Sequence, residues 1–504
     1  MNLSRYALNS IDPAAAQLPA PSVFNLPEKV LQFGTGVLLR GLPDYFINKA
    51  NNKGLFNGRI IVVKSTDNGS TGAYEKQDGL YTINVRGIDD GVTKEENIIN
   101  ASISRVLSAQ TEWRTVLSCA YNADLQVILS NTTEAGIALV FENIHRGVPQ
   151  SFPGKLLAFL YRRFKAFEGS KDHGMVIVPT ELIPDNGKIL EAIVLELAHF
   201  NGLETQFIDW LEECNHFCNS LVDRIVPGKP LPAVKAKIES QLGYKDELMI
   251  TAEPYALWAI EGDDFVKQVL SFAEADNRIQ IRTDIELFRE LKLRLLNGTH
   301  SLTCGLAYLS GCDFVSEALL NEPLSAYING VMQNEIGPSI PYNVSESDVE
   351  NFSSKLLERF SNPFIHHSWL NITAQYSSKI KQRIVPLLLH HYKTNNHAPE
   401  LMSLGFAGFI LFMRPVRVEE GVYYGYANEE EYIITDVHAK LFSEKWKASA
   451  ARNTVEQVLG DESLWETNLN CLPGFTDMVS AKLDELVKNG VLKTIEDTQL
   501  IKVA

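Results

Sequence analysis

Cysteine is scarce in this chain: Cys119, Cys214, Cys218, Cys304, Cys312 and Cys471 are the only six among 504 residues. Their irregular spacing gives no disulfide framework, and a reducing compartment is the simpler reading. Cys214, His216 and Cys218 lie close together, yet no second ligand pair stands at a suitable spacing, so no metal is expected. Positive charge is also short, with 46 Lys and Arg against 62 Asp and Glu and a net charge of -16. That balance argues against a nucleic-acid partner or an anionic membrane surface, since both require basic patches. It leaves room for a small anionic substrate, which needs only local positive charge. Long apolar runs are missing as well. The longest, around Leu401 to Met413, is too short to span a bilayer and reads as a buried helix. Met1 to Ser10 has neither the basic start nor the apolar core of a signal peptide, and a cytoplasmic location is the expectation.

What is present is an ordinary globular composition, 45% hydrophobic and 21% charged, on a chain too long for a single core. Residues 1–27 carry Pro13, Pro19, Pro21 and Pro27 and read as an extended lead-in. Short apolar strands then alternate with helical stretches: Lys29 to Phe33, Arg59 to Val63, Leu125 to Leu129 and Met175 to Val178. This pattern predicts an α/β fold whose first domain, 28–280, is a Rossmann-like, doubly wound parallel sheet. From about residue 281 helical periodicity takes over, as in Ile285 to Leu296, Val349 to Arg359 and Phe475 to Val487. A mainly α-helical domain over 281–504 is expected, with neither internal repeats nor low-complexity blocks.

In the first domain, Phe33 leads from a strand into Gly34-Thr35-Gly36 and then a helix. Glycines there let the backbone approach a pyrophosphate at a helix N-terminus. The usual third glycine is replaced by Leu39, with Gly41 two residues on, and a plain tight turn is the competing reading. Asp67, after the second strand, has the chemistry to accept hydrogen bonds from an adenosine ribose and to repel a 2'-phosphate, which favours NAD over NADP. It stands equally well as a turn residue in Asp67-Asn-Gly69.

In the second domain, Lys292-Leu-Arg-Leu-Leu-Asn-Gly-Thr-His300 is the most informative segment. On an α-helix, at about 100° per residue, Lys292, Asn297 and His300 fall within an arc of about 140°. An ammonium, an amide and an imidazole facing one small volume suit proton transfer at an alcohol or ketone oxygen. The lysine exchanges the proton, the asparagine polarises the oxygen, and the histidine orients substrate or lysine. The competing reading is a solvent-facing lysine followed by an Asn-Gly helix end.

Several separate segments together resemble one family, the polyol-specific long-chain dehydrogenases related to mannitol dehydrogenase. They are Gly34-Thr-Gly36 with Arg40, Gln77-Asp-Gly-Leu-Tyr81, Asn219-Ser-Leu-Val-Asp-Arg-Ile225, Glu253-Pro254 with Trp258, and Lys292-x4-Asn297-x2-His300. Within that family, Ser130-Asn-Thr-Thr-Glu-Ala-Gly-Ile137 is similar to the tagaturonate reductase (altronate oxidoreductase) branch. Arg359-Phe-Ser-Asn-Pro-Phe364 followed by His366 and His367 points the same way.

The resemblance implies an NAD-dependent, metal-independent enzyme acting on a small sugar acid in hexuronate catabolism. Lys292 becomes the acid/base, Asn297 and Asn186 the amide pair holding the developing alkoxide, and His300 the group positioning the lysine and a substrate hydroxyl. NAD would lie against Phe33, Gly34, Thr35, Gly36, Arg40, Asp67, Thr133 and Glu134. Lys379 matches a family lysine at the substrate site, and Arg383, His366 and His367 are further candidates to pair a carboxylate. The chain departs from the family pattern at Thr180-Glu-Leu182, where Cys-Asp-Asn is usual, at Arg289 in place of a glutamate, and at Asn371 in place of an arginine. Two other readings of the same residues stand beside this one. They are a fructuronate reductase or hexitol dehydrogenase of the family, and an inactive NAD(H)-sensing regulator. Oligomeric state is left open.

Overall fold

The strand Glu28–Phe33 (β1) has a parallel partner on each side, and a six-stranded sheet grows outward from it. The others are Arg59–Lys64 (β2), Ile103–Ser108 (β3), Val127–Ser130 (β4), Val176–Pro179 (β5) and His216–Phe217 (β6). Their spatial order is β3-β2-β1-β4-β5-β6, and every neighbouring pair is parallel. That is the Rossmann arrangement, as the alternation of strands and helices predicts. Side chains one apart leave opposite faces of a strand. Accordingly Val30, Ile60, Val62, Val127 and Val176 enter one core, while Leu31, Ile61, Val63, Ile128 and Ile177 enter the other. Burial on both faces is why these strands read as unbroken apolar runs.

The computed structural model describes residues 1–65, 70–132, 136–448 and 451–503. It divides into one unit of Met1–Gly87 and Thr93–Ile285 and a second of Ile88–Val92 and Glu286–Ala504. In the first unit, β1 is followed by two short helices, Val37–Gly41 (α1) and Pro43–Asn52 (α2), broken at Leu42 where the backbone leaves helical angles ahead of Pro43. Phe152–Ala166 (α3) starts with Pro153 in its first turn and a Ser151 side-chain cap on the Gly154 N–H. Asn186–Phe200 (α4) follows β5.

One expectation changes at the N-terminus. Residues 1–27 do not run extended: they carry 3₁₀ turns at Ala7–Ser10 and Pro21–Asn25. Leu3, Ile11, Ala16 and Val23 are buried in a small core with Leu80, Ile99 and Leu242. In addition β3 is a strand that its sequence, Ile-Ser-Arg-Val-Leu-Ser, hardly announces, because an edge strand tolerates polar residues that an interior one excludes.

The second unit is mostly helical around one core. Its site-bearing helices are Thr299–Leu309 (α5), Glu346–Phe360 (α6) and Tyr376–Arg383 (α7), while Glu400–Phe412 (α8) is the apolar stretch expected to be buried. A three-stranded antiparallel sheet at Arg417–Glu419, Val422–Ala427 and Glu430–Ile433 interrupts the helical pattern. Residues 291–298, expected as α-helix, form a π-helix that runs directly into α5. Among the described residues no helix is long and apolar enough to cross a membrane.

Asp44, in the first turn of α2, has no solvent exposure, and burial pushes its carboxyl up to about 7. Hydrogen bonds with Gln32 and Tyr81 and the charge of Arg40 offset that only in part. In the unfolded chain the group titrates near ~3.9. Its contribution to stability is therefore full below that value and is lost as pH rises through the folded value. Asp44→Asn should raise the melting temperature at about pH 8, with the gain shrinking towards about pH 5, in thermal melts across that range.

Candidate active site

At the carboxyl ends of β1, β2 and β4 lies a cavity of about 650 Å³, lined among others by Gly34, Thr35, Gly36, Ser65, Asn131 and Lys155. The sheet order turns between β1 and β4, and open α/β sheets place ligands at that point. Gly34 has φ +130°, and a Cβ there would come within 2.9 Å of Leu39 and 3.1 Å of the Asn131 carbonyl oxygen. The loop therefore needs glycine for its backbone angle and for its closeness to β4. Gly36 opens α1, and Phe33 is buried beneath the loop. Leu39, where the usual third glycine would stand, packs against Gly34, and Gly41 allows close contact with Val226. Phe33, Gly34, Thr35 and Gly36 thus meet at one cavity, whose glycine cradle fits a dinucleotide.

Two sequence expectations in this unit are corrected by where the side chains go. Arg40 does not face the cavity. Its Nη1 donates to the Leu248 carbonyl at 2.6 Å, and its guanidinium lies 5.4 Å from the Tyr81 ring centroid. Asn186, expected to hold an alkoxide, is 1% exposed. Its amide nitrogen donates to the carbonyls of Pro179, Glu181 and Ser220 at 3.0–3.2 Å, and its oxygen accepts from the Ser220 N–H at 2.9 Å. With both amide hydrogens shared among three carbonyls, Asn186 joins β5 to Ser220 rather than offering a donor to substrate. Asp67, Thr133 and Glu134 lie outside the described residues.

Sequence reasoning missed two polar side chains of the cavity region. Glu181 accepts hydrogen bonds from Ser130 Oγ (3.1 Å), Thr132 N (2.8 Å) and Thr132 Oγ1 (3.0 Å), fixing the loop after β4. It belongs to the Thr180-Glu-Leu182 departure, so the atypical residue has a specific task. Lys155 is 2% exposed, lines the cavity, and donates to the Gln150 carbonyl at 2.7 Å.

In the second unit, Lys292 and Asn297 are half-buried on the π-helix Leu291–Gly298, and His300 is buried in the first turn of α5. A π-helix bonds residue i to i+5. Residue 297 therefore returns almost over residue 292, closer than the expected α-helical arc allows. His300 stacks on Phe360, with ring centroids 4.6 Å apart, and meets His367 and Trp369 edge-on at 5.2 and 5.7 Å. Its Nε2 is buried without a hydrogen-bond partner among the described residues. Burial, reinforced by the charges of His367, Arg383, Arg359 and Lys379, holds its pKa well below the usual histidine range, so the ring is neutral.

Those neighbours form a basic cluster. Lys379 Nζ donates to the Ile372 carbonyl at 2.8 Å, and burial and Arg383 lower its pKa. Arg383 Nη1 donates to the Asn297 carbonyl (3.3 Å) and to Ser301 Oγ (3.0 Å). Burial, then the charges of Arg359 and Lys379, lowers the His367 pKa. Arg359, at the end of α6, is the cluster member that sequence reasoning left out, although it opens the Arg359 to Phe364 motif. His366 does not join: it is exposed, with its ring 5.2 Å from that of Phe314. Arg289 pairs with Glu286 at 2.7 Å, and Glu290 with Arg294 at 3.0 Å.

The mannitol dehydrogenase Rossmann-domain model matches residues 28–273, and the mannitol dehydrogenase C-terminal-domain model matches 284–487. The chain belongs to the mannitol dehydrogenase family. Among its relatives, an altronate oxidoreductase of Halalkalibacterium halodurans is 36% identical over 480 residues, covering 93% of each chain. One of Bacillus subtilis is 35% identical over 473 residues, covering 93% of this chain and 95% of the relative. The fold is shared with Pseudomonas fluorescens mannitol 2-dehydrogenase, solved with NAD and D-mannitol (TM-score 0.70, 22% identity, full coverage of both chains). It is shared also with a D-sorbitol dehydrogenase (TM-score 0.79, 20% identity, covering 98% of this chain and 100% of the other).

For this member of the mannitol dehydrogenase family, Gly34→Ala forces a side chain into a strained backbone angle and against the Asn131 carbonyl. Stability should fall by about 1–3 kcal/mol. NADH affinity, measured by fluorescence titration, should fall at least about tenfold, whereas an unchanged affinity would remove Gly34 from the cofactor cradle.

Proposed function

We propose that this chain is an NAD-dependent oxidoreductase interconverting D-tagaturonate and D-altronate, with Lys292 as the general acid/base. The observation that carries the reading is the π-helix that holds Lys292 and Asn297 five residues apart, next to a basic cluster around His300. Relatives named altronate oxidoreductase support the substrate choice. The glycine cradle and cavity of the first unit support the cofactor, with Phe33, Gly34, Thr35 and Gly36 as its contacts and Lys155 as a nearby positive charge.

The nicotinamide, when bound, supplies the hydride that reduces the ketone carbon. The remaining tasks belong to the chain. Lys292 gives its proton to the ketone oxygen as that oxygen gains charge. The Asn297 amide donates a hydrogen bond where the charge develops, which stabilises the transition state more than the ground state. His300, neutral and with an Nε2 that has no partner among the described residues, meets a substrate hydroxyl and so fixes the orientation of the sugar. Lys379, Arg359, His367 and the outer N–H groups of Arg383 face the carboxylate. A charge-assisted pairing there favours a sugar acid over a neutral ketose. In this scheme no metal takes part, since lysine and amide together polarise the oxygen. The setting is the cytoplasm, and neither nucleic acid nor membrane is a partner.

The test is NADH oxidation followed by absorbance with D-tagaturonate, D-fructuronate and D-fructose in parallel. Turnover with tagaturonate far above the others, unaffected by chelator, is expected. Preference for fructuronate or fructose would overturn the substrate, and inertness with all three despite NADH binding would overturn the enzyme. Lys292→Met should lower kcat by about 10²–10⁴-fold while NADH binding persists.

A further inference from the structure

A π-helix of eight residues is unusual and has to be held by its surroundings. Two arginines, the buried Arg294 and the half-buried Arg383, tie it to its surroundings. Arg294, in the middle of the π-helix, sends Nη1 to the carbonyls of Gln382 (2.9 Å) and Arg383 (3.0 Å), which are among the end carbonyls that α7 leaves unsatisfied. Its Nε is fixed by the Glu290 carboxylate at 3.0 Å, so the guanidinium plane is set before it reaches across. In the return direction Arg383 Nη1 donates to the Asn297 carbonyl and to Ser301 Oγ. The Ser301 hydroxyl in turn donates to the same Asn297 carbonyl at 2.9 Å.

Each segment's arginine thus holds the other's backbone. The residue pinned at the far end, Asn297, is the one whose side chain must stay over Lys292. In an α-helix the two would differ by about 140°, the full width of the arc expected from the sequence, whereas the π winding brings them closer together.

We propose that Arg294 and Arg383 form a crossed clamp that keeps residues 291–298 in π register and thereby aligns Asn297 with Lys292. Both are positioning residues in this role, and Arg294 has no contact with the reacting atoms. The kinetic consequence rests on the function proposed above, whereas the consequence for the helix does not.

The test compares Arg294→Met, Arg294→Lys and Ser301→Ala in the full chain, by steady-state kinetics with tagaturonate and by amide hydrogen exchange. Arg294→Met should lower kcat about ten- to a hundredfold, with KM for the keto acid and Kd for NADH within about twofold. Arg294→Lys, which keeps the Glu290 pair but cannot reach both carbonyls, should fall between it and the parent. Ser301→Ala should lose a few-fold in kcat. Amide exchange over 291–301 should accelerate while the six-stranded sheet stays protected. Full kcat in the folded variants, a loss confined to KM, or unchanged exchange over 291–301 would each overturn the clamp. If Arg294→Met does not fold, Ser301→Ala decides between the same outcomes. If the parent turns over no ketose, the proposed function fails and the exchange measurement alone decides the clamp.

Discussion

The proposed catalytic geometry depends on a change of helical register. Glu286–Glu290 is α-helical, Leu291–Gly298 is π-helical, and Thr299–Leu309 is α-helical again. Wider winding over eight residues brings an ammonium and an amide five apart towards one face, where in the proposed reaction both serve one oxygen. The π form has no intrinsic advantage, so its neighbours must supply one. Leu291, Leu295 and Leu296 are buried in the helical core, and charged groups tie the polar side of the turn to the end of α7.

Electrostatics follow the same local logic. The chain carries a net charge of -16, yet Arg359, Lys379, Arg383 and His367 crowd around His300. Burial and these neighbours keep that imidazole neutral, which lets it bond a hydroxyl without adding to the repulsion in the cluster. An anionic substrate entering such a cluster relieves the mutual repulsion of the cations. A neutral sugar does not, and in the proposed function this difference is the source of selectivity for a sugar acid.

Much of this was legible in the sequence. β1, β2, β4 and β5 announce themselves because a strand covered on both faces is apolar throughout, and the glycine loop stands where the first of them ends. Spacing and residue chemistry single out Lys292, Asn297 and His300, and the structure carries them on one continuous helical stretch. The register of that stretch was not legible, since α and π windings accept the same leucines and differ only in tertiary support. Arg40 and Asn186 show the other limit. Arg40 bonds a carbonyl 208 residues away, and Asn186 bonds three carbonyls from two separate segments, contacts that no local pattern encodes. Arg359 and Lys155 escaped notice because a basic residue on an amphipathic helix reads as solvent-facing. The lead-in of residues 1–27 was misread because its prolines suggest an extended chain while its few apolar residues find a core.

The most direct measurement is a double-mutant cycle on kcat between Lys292→Met and Asn297→Ala. If both groups act on one oxygen because the π-helix stacks them, the double variant loses little more than the worse single variant. Independent losses, multiplying to their full product in the double variant, would contradict a shared target and with it the catalytic meaning of the π register.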